Sequence, residues 1–429
     1  MYNVSSFRIS KPRSRSTWLS SHGQYLAAAF VLFLVLFGGN LPTPLYPAWQ
    51  QQFGLSTGTI TGVYAVYPAG VVLGLLFGGR LADQLGRRPI LALAALASVL
   101  AEACFIMADS VELLFAGRLI NGCAVGLLSG PAVAAIAELN PQGDRKKGAW
   151  LAALTTVTAI AFGPLLAALL VRFPPVPAMR SSFPFVMHMV ALATALVLVA
   201  TCLRETTPSA SLRSWRDVRV VPQGIAVPLE IRNRFWPAAA VAFLVWACAG
   251  LWLALGPSLV MKAAGSSDRL VGGLAVVAVL GTAGAVQVLG RLMDARRSMI
   301  VGLLLLPLGL LLIVATILLQ SLASLVLGCV ITGGAQGFGW MGSSESVGRL
   351  APPDQRASVL SAFYIVAYAG VALPVLAVGV VTDWVGLPTA VSALAVAVTV
   401  AALGLIAHLL RPHRGSTTSG AYRSFRFSK

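Results

Sequence analysis

The chain has 429 residues, 57% of them hydrophobic and only 10% charged, with a formal net charge of +17. So little charge excludes the water-exposed surface of an ordinary soluble domain. The basic balance invites a nucleic-acid partner, but the positions of the basic residues exclude that reading too.

A basic segment, 1–22, carries Arg8, Lys11, Arg13 and Arg15 and precedes the first apolar run. Twelve runs then reach or pass the ~18 residues that span hydrocarbon. Their cores are 25–47, 58–79, 89–108, 111–137, 149–171, 184–203, 236–260, 270–290, 299–319, 322–343, 358–382 and 387–409. Without water, each segment must satisfy its own backbone N–H and C=O groups, so all twelve are predicted to be helices. The first is too long for a cleaved signal and lacks the small-residue cleavage site. The longest interior polar stretch, 204–235, holds Arg204, Arg213, Arg216, Arg219, Arg232 and Arg234. It divides a bundle over 23–203 from a second over 236–411, and a basic tail, 412–429, follows. The fold class is therefore all-α membrane protein, with twelve transmembrane helices in two six-helix bundles related by pseudo-two-fold symmetry.

With the N-terminus in the cytoplasm, 26 of the 31 Lys and Arg residues fall on the cytoplasmic side. Arg172, Arg180, Lys262 and Arg269 fall outside, and Arg118 lies within the fourth helix. That bias fixes the orientation. Both termini are expected in the cytoplasm of a bacterial cell, the protein being multi-pass in the cytoplasmic membrane. The basic tails are expected to face anionic lipid, with no nucleic acid as partner. The five cysteines all fall within predicted helices, spaced neither as a disulfide framework nor as a metal site.

The second and third helices are joined by Gly79-Arg-Leu-Ala-Asp83-Gln-Leu-Gly86-Arg87-Arg88-Pro89. A shortened version, Gly290-Arg-Leu-Met-Asp294-Ala-Arg296-Arg297, joins the eighth and ninth. Gly79 and Gly290 are 211 residues apart. Asp144 and Asp354 are separated by 210, as are Pro164 and Pro374. One offset kept at three places reads as a duplication. Asp83 is expected at the start of the eleventh helix, near Ser358, where the partial positive charge of a helix N-terminus attracts a carboxylate. Arg87 or Arg88 is placed to reach Glu138, and Asp294 is expected to mirror Asp83 at the start of the fifth helix, near Gly148.

Two ionisable groups lie at membrane depth. Glu102 is seven residues before Asp109, about 10 Å below the outer surface at 1.5 Å per residue, and Arg118 has a similar depth on the fourth helix. Intramembrane charges tend to pair and to mark function. Glu102 is therefore a proton-carrying group, the static partner of Arg118, or an acid facing water near a helix end. His188 reads as a packed, hydrogen-bonded histidine, and Glu345 as an interfacial charge facing Arg349 or Arg297.

The loop at 79–89 resembles the signature of the major facilitator superfamily, with Gln84 and Leu85 as departures. Supporting matches are Arg118-Leu-Ile-Asn121-Gly122, where the family has Gln for Asn121, and Leu203-Arg204-Glu205-Thr206, where it often has Pro for Arg204. The resemblance covers residues 23–411. It implies alternating access, with the loop contacts latching the outward-open state, and a role for Arg118 in proton translocation. In the family's exporters a Gly-Pro kinks the fifth helix. Here Gly163-Pro164 stands with alanines after it, and Leu373-Pro374 is the counterpart.

By the same resemblance, helices 1, 4, 7 and 10 line the substrate cavity, with Asn40, Asn121, Trp246, Trp252, Gln336 and Trp340 as polar or aromatic candidates. Tyr64 and Tyr67, and Tyr364 and Tyr368, add to it; their spacings of three and four put each pair on one helix face. An aromatic cavity without a central acid suits hydrophobic or amphipathic solutes. The chain reads as a drug/proton antiporter-like secondary transporter that exports such a solute against protons, for which a monomer suffices. The rival readings are an importer or facilitator of a neutral metabolite and a non-transporting membrane sensor on the same fold. No nucleotide-binding loop, zinc motif or Ser/His/Asp arrangement appears, so neither cofactor nor enzymatic activity is expected.

Overall fold

The computed structural model describes residues 19–176, 179, 181–207, 218–263, 265, 269–290, 292–353 and 355–411. Among these there are twelve helices long and apolar enough to cross a membrane, and no strand. They are α1 (Ser21–Asn40), α2 (Thr57–Leu85), α3 (Arg87–Ile106), α4 (Val111–Leu139), α5 (Arg145–Arg172) and α6 (Phe183–Cys202) in the first half. The second half holds α7 (Arg232–Ala263), α8 (Arg269–Leu289), α9 (Ala295–Leu319), α10 (Leu322–Leu350), α11 (Arg356–Val385) and α12 (Leu387–Leu410). The tails 1–18 and 412–429, Arg180, Arg213, Arg216, Arg291 and the repeat anchor Asp354 lie outside the described residues, as does the Lys262 side chain.

The apolar run predicted over 25–47 is not one helix. α1 stops at Asn40, and a 3-10 turn (Thr43–Leu45) and a short helix (Tyr46–Gln52) follow. Pro42, Pro44 and Pro47 remove three backbone donors in succession, and Gly38-Gly39 weakens the turn before them. The short helix is held by aromatic stacking: the Trp49 ring lies 5.9 Å from Phe105 and 6.0 Å from Phe185.

Hydrophobicity does not distinguish helix from helix in lipid, so close approach is what packing can select. Gly70, Gly74 and Gly78 of α2 meet Gly122, Gly126 and Leu127 of α4 backbone to backbone: a Cβ on Gly74 would lie 2.8 Å from the Cα of Gly126. This seam fixes α4, and with it Arg118 and Asn121, against the tyrosines of α2.

We call the face carrying the start of α1 the basic face. Arg80, Arg87, Arg88, Arg145, Lys146, Lys147, Arg232, Arg234, Arg296, Arg297, Arg349 and Arg356 all sit at helix ends there. The two halves meet along α2–α11 and α5–α8. At the opposite face α2 and α11 are in contact: Gly58 N–H donates to Asp383 Oδ2 at 3.2 Å, and Thr61 packs on Gly379. At the basic face, by contrast, a cleft of about 540 Å³ opens between the halves. The halves thus touch at the far face and leave a linker-lined cleft between them at the basic one.

Candidate functional site

The cleft is lined by Gly79, Arg80, Asp83, Arg87 and Pro131 from the first half and by Gln355, Ala357 and Ser358 from the second. Asp83 faces the start of α11 across this gap, and among the described residues no hydrogen bond joins it to that helix. The Ser358 hydroxyl instead accepts from the N–H of Ala226 at 2.8 Å, in the linker between the halves. The linker also binds α2. Gln223 N–H donates to Leu76 O at 2.6 Å, and Gln223 Oε1 would lie 3.0 Å from a Cβ on Gly79. Gln84, a departure from the family signature, pairs its amide both ways with the Arg219 backbone, at 3.1 and 3.0 Å.

Gly86 alone separates α2 from α3, at φ 98°, a backbone conformation that side chains rarely adopt. Arg87 forms an ion pair with Glu138 at 2.8 Å, whereas Arg88 turns away and donates to the carbonyls of Val199 and Ala200. The start of α3 is capped from a distance. Glu205 accepts from the N–H groups of Arg87 (2.9 Å) and Arg88 (3.0 Å), and from those of Thr206 and Thr207. This gives the Leu203–Thr206 motif a physical role: it ties the end of α6 to the N-terminus of α3.

The second-half loop does not mirror the first. α8 ends at Leu289, just before Gly290, and Asp294 caps its own helix, accepting from Arg296 N–H (3.1 Å) and Arg297 N–H (3.4 Å). It does not reach α5, whose Gly148 packs on Ile136 and Ala137 of α4. A carboxylate placed immediately before a helix takes the nearest free amides; Asp83, inside α2, has none. Arg296 donates to Leu409 O, and Glu345 pairs with Arg349, four residues on.

Glu102 does not pair with Arg118. Glu102 Oε1 lies 2.8 Å from Nδ1 of His188, on α6, and both groups are buried. His188 Nε2 in turn lies 3.0 Å from Leu34 O of α1. His188 is thus packed and hydrogen-bonded, as read from the sequence, but its partner is the intramembrane acid. Arg118 is buried and donates from Nη1 to Gly39 O at 2.8 Å. Its guanidinium lies 4.4 Å from the Tyr67 ring centroid, 5.8 Å from Tyr46 and 5.9 Å from Tyr64, within cation–π range.

Tyr368 of α11 neighbours Tyr64, Tyr67 and Tyr364, which carries the aromatic surface across to the second half. There Trp340 stands 5.6 Å from Trp246 in a T-shape, 5.4 Å from Phe363 and 5.9 Å from Tyr364. Tyr364, at the edge of this surface, is 36% exposed. Among the described residues, buried polar atoms without partners include both amide atoms of Asn121, Arg118 Nε, Trp246 Nε1 and Gln336 Oε1. Trp252 does not join them. Its Nε1 donates to Thr332 Oγ1 at 3.1 Å, and it is buried in the α7–α10 seam. Asn40 ends α1 beside Gly163 of α5, whose missing Cβ lets the Phe37 carbonyl approach. Pro164 lies inside α5, where Gly273 of α8 meets its carbonyl, and Pro374 lies buried inside α11.

The chain matches the family model described as Major Facilitator Superfamily over residues 28–305 and again over 235–428. It is 25% identical over 124 residues to the quinolone resistance protein NorA of Staphylococcus aureus, covering 29% of this chain and 32% of that one. It is 27% identical over 195 residues to the multidrug resistance protein MdtL of Escherichia coli, covering 44% of this chain and 48% of that one. The chain thus spans between about a third and a half of these relatives' length. Among solved structures, the nucleoside transporter NupG superposes with a TM-score of 0.71 at 15% identity, covering 92% of this chain and all of that one. A POT family transporter bound to 5-aminolevulinic acid gives 0.71 at 15%, covering 90% and 96%. At that identity they speak for the fold alone. With twelve membrane-capable helices among its described residues, the chain belongs to the Major Facilitator Superfamily and is a multi-pass membrane protein.

Proposed function

We propose that this transporter exports a hydrophobic or amphipathic small molecule in exchange for protons, by alternating access. The observation that carries the reading is the aromatic surface running from Tyr46, Tyr64 and Tyr67 across Tyr368 to Tyr364, Trp340 and Trp246. Among the described residues it joins the halves without a carboxylate, and its one charge is the Arg118 guanidinium held against the tyrosine rings, so it offers mainly stacking area and a few amide or indole hydrogen bonds. Among the described residues the one deeply buried acid, Glu102, is held by His188 beside the Arg118 end of this surface, which suits a proton site. The names of the two relatives, quinolone resistance and multidrug resistance, point the same way.

In this reading the basic face is cytoplasmic and the structure is inward-facing. Gly79, Asp83, Gly86, Arg87, Arg88 and Glu138 form the switch that closes the cleft when Asp83 reaches the N-terminus of α11. Gly290, Asp294, Arg296 and Arg297 brace the second half against α12. Arg118 and Glu102 couple the proton. Gly163, Pro164 and Pro374 shape α5 and α11, where the halves slide. The protein works as a monomer in a bacterial cytoplasmic membrane, with its basic tails on anionic lipid.

The test is binding in lipid nanodiscs. Lipophilic cations and neutral aromatic drugs are titrated while tryptophan fluorescence is read in the wild type and in Trp246→Phe/Trp340→Phe. Saturable quenching that is lost in the double variant supports the reading. Saturable binding that both substitutions leave unchanged refutes the assigned cavity.

A further inference from the structure

Glu102, His188 and the end of α1 form a unit whose chemistry follows from one hydrogen bond. The oxygen of Leu34 is a carbonyl and can only accept, so Nε2 of His188, 3.0 Å away, must carry a hydrogen. Nδ1 then faces Glu102 Oε1 at 2.8 Å in one of two ways. A neutral ring accepts from the protonated carboxyl, or an imidazolium donates to the carboxylate. Both descriptions contain the same single proton between Nδ1 and Oε1.

Remove that proton and two lone pairs face each other at 2.8 Å. The ring cannot escape by exchanging tautomers, because Nε2 would then turn its own lone pair on Leu34 O. One of the two contacts has to break. Leu34 O is fixed in the backbone ladder of α1 and stays in place, whereas an ionised Glu102 has a cation to turn to. Arg118 is buried, its Nε has no partner, and it acts electrostatically on Glu102. The second carboxyl oxygen, Oε2, is buried and unpartnered too, so no hydrogen bond there holds the carboxylate back once the proton is lost.

We propose that Glu102 is a two-position switch, held by His188 when protonated and released to Arg118 when ionised, with His188 the positioning residue that converts loss of the proton into movement at the end of α1. In the step, the carboxyl gives its proton to water, the pair passes from neutral to −1, and the Arg118 cation compensates the new charge.

The link to α1 is steric. The His188 ring lies over Gly38, where a Cβ would sit 2.5 Å from Cε1 and 3.2 Å from Glu102 Oε1. Gly38 O accepts from Leu41 N–H, closing the last turn of the helix, and Gly39 O accepts from Arg118. Beyond that turn, Thr43–Leu45 packs on α5, α7 and α8 at the far face, and the short helix packs on α7. Both positions of Glu102 therefore pull on consecutive residues of the turn that carries the far-face closure. Among the described residues, the other groups facing the pair are uncharged or distant from it. α1 offers the Phe37 ring and backbone, and α2 offers Tyr64 and Tyr67 around Arg118.

The inference rests on the proposed proton coupling but is tested without a substrate. Full-length protein in nanodiscs, its five cysteines replaced, carries spin labels at Gln51→Cys and Trp384→Cys across the far face. Their distance and the infrared carboxylic-acid band are followed against pH. In the otherwise wild-type protein the band and the distance are expected to change together in one step. Glu102→Gln, whose amide N–H donates to Nδ1 as the protonated carboxyl does, is expected to lose the band and hold the acid-side distance at every pH. In His188→Phe the band is expected still to titrate while the distance no longer follows. His188→Gln serves as the second variant if His188→Phe does not fold.

A distance that follows pH in Glu102→Gln, or in the His188 variants as in the wild type, overturns the proposal. So does a wild-type band that titrates without movement. If the switch behaves as expected but no solute drives proton flux, the export reading fails and the switch stands.

Discussion

The α2–α4 seam offers the clearest quantitative test of the fold, and Gly126→Ala is the perturbation. Its Cβ would lie 2.8 Å from Leu75 N and 2.9 Å from Gly74 Cα, with Val71 O closer still. All three are backbone atoms or glycine, so no side chain can turn aside, and regaining ordinary contact at ~3.4 Å or more with Val71 O means parting the helices by about an ångström. Overpacking of this kind costs about 1–3 kcal/mol. Alanine returns roughly 0.8–1 kcal/mol of helix propensity, so the net loss is expected to be up to about 2 kcal/mol.

Gly130, one turn further along α4, supplies the control, because nothing lies within 4 Å of its missing Cβ. There alanine should be neutral or stabilising by about 1 kcal/mol. Both variants are compared by thermal unfolding in one detergent. Gly126→Ala as stable as Gly130→Ala would refute the backbone-to-backbone seam.

Glu205→Gln keeps the side chain's shape but replaces a carboxylate that accepts from four backbone N–H groups with an amide that has one acceptor oxygen. A loss of about 1–2 kcal/mol is expected in the same unfolding assay, and unchanged stability would contradict the cap. Gly379→Val places a Cβ 2.7 Å from that of Thr61 and should force α2 and α11 apart at the far face. Labelling of Tyr64→Cys by a membrane-impermeant maleimide from that face should then quicken, and an unchanged rate would mean that this contact does not close the far side.

The helices were legible because each is a run of apolar residues long enough to span hydrocarbon, and the loop at 79–89 because its glycines and charges interrupt such runs. What lipid conceals is which face of a helix meets which neighbour, since apolar residues surround it on all sides. Glu102's partner lies 86 residues away on another helix, and a single histidine in an apolar run carries no pairing signal. Trp252 and Trp246 stand six residues apart on α7, yet one is sealed against Thr332 and the other opens to the aromatic surface. Composition cannot separate them.

Two differences had local signals. Pro42, Pro44 and Pro47 mark the end of α1, although the apolar run continues through them. An aspartate immediately before a helix, as Asp294 is, caps that helix before it reaches for another. Gln84 and Glu205 show the reverse case, in which motif positions acquired a reason only when the linker and the α3 N-terminus came together around them.

The most direct test of proton-coupled export uses purified protein in liposomes that enclose a pH-sensitive dye. A proton gradient is imposed, and lipophilic cations and neutral drugs are added to the wild type and to Glu102→Gln. The account predicts solute-evoked proton flux in the wild type and none in Glu102→Gln. Flux that persists undiminished in Glu102→Gln would remove Glu102 from the coupling path, and the absence of flux with every compound would contradict proton-coupled export itself.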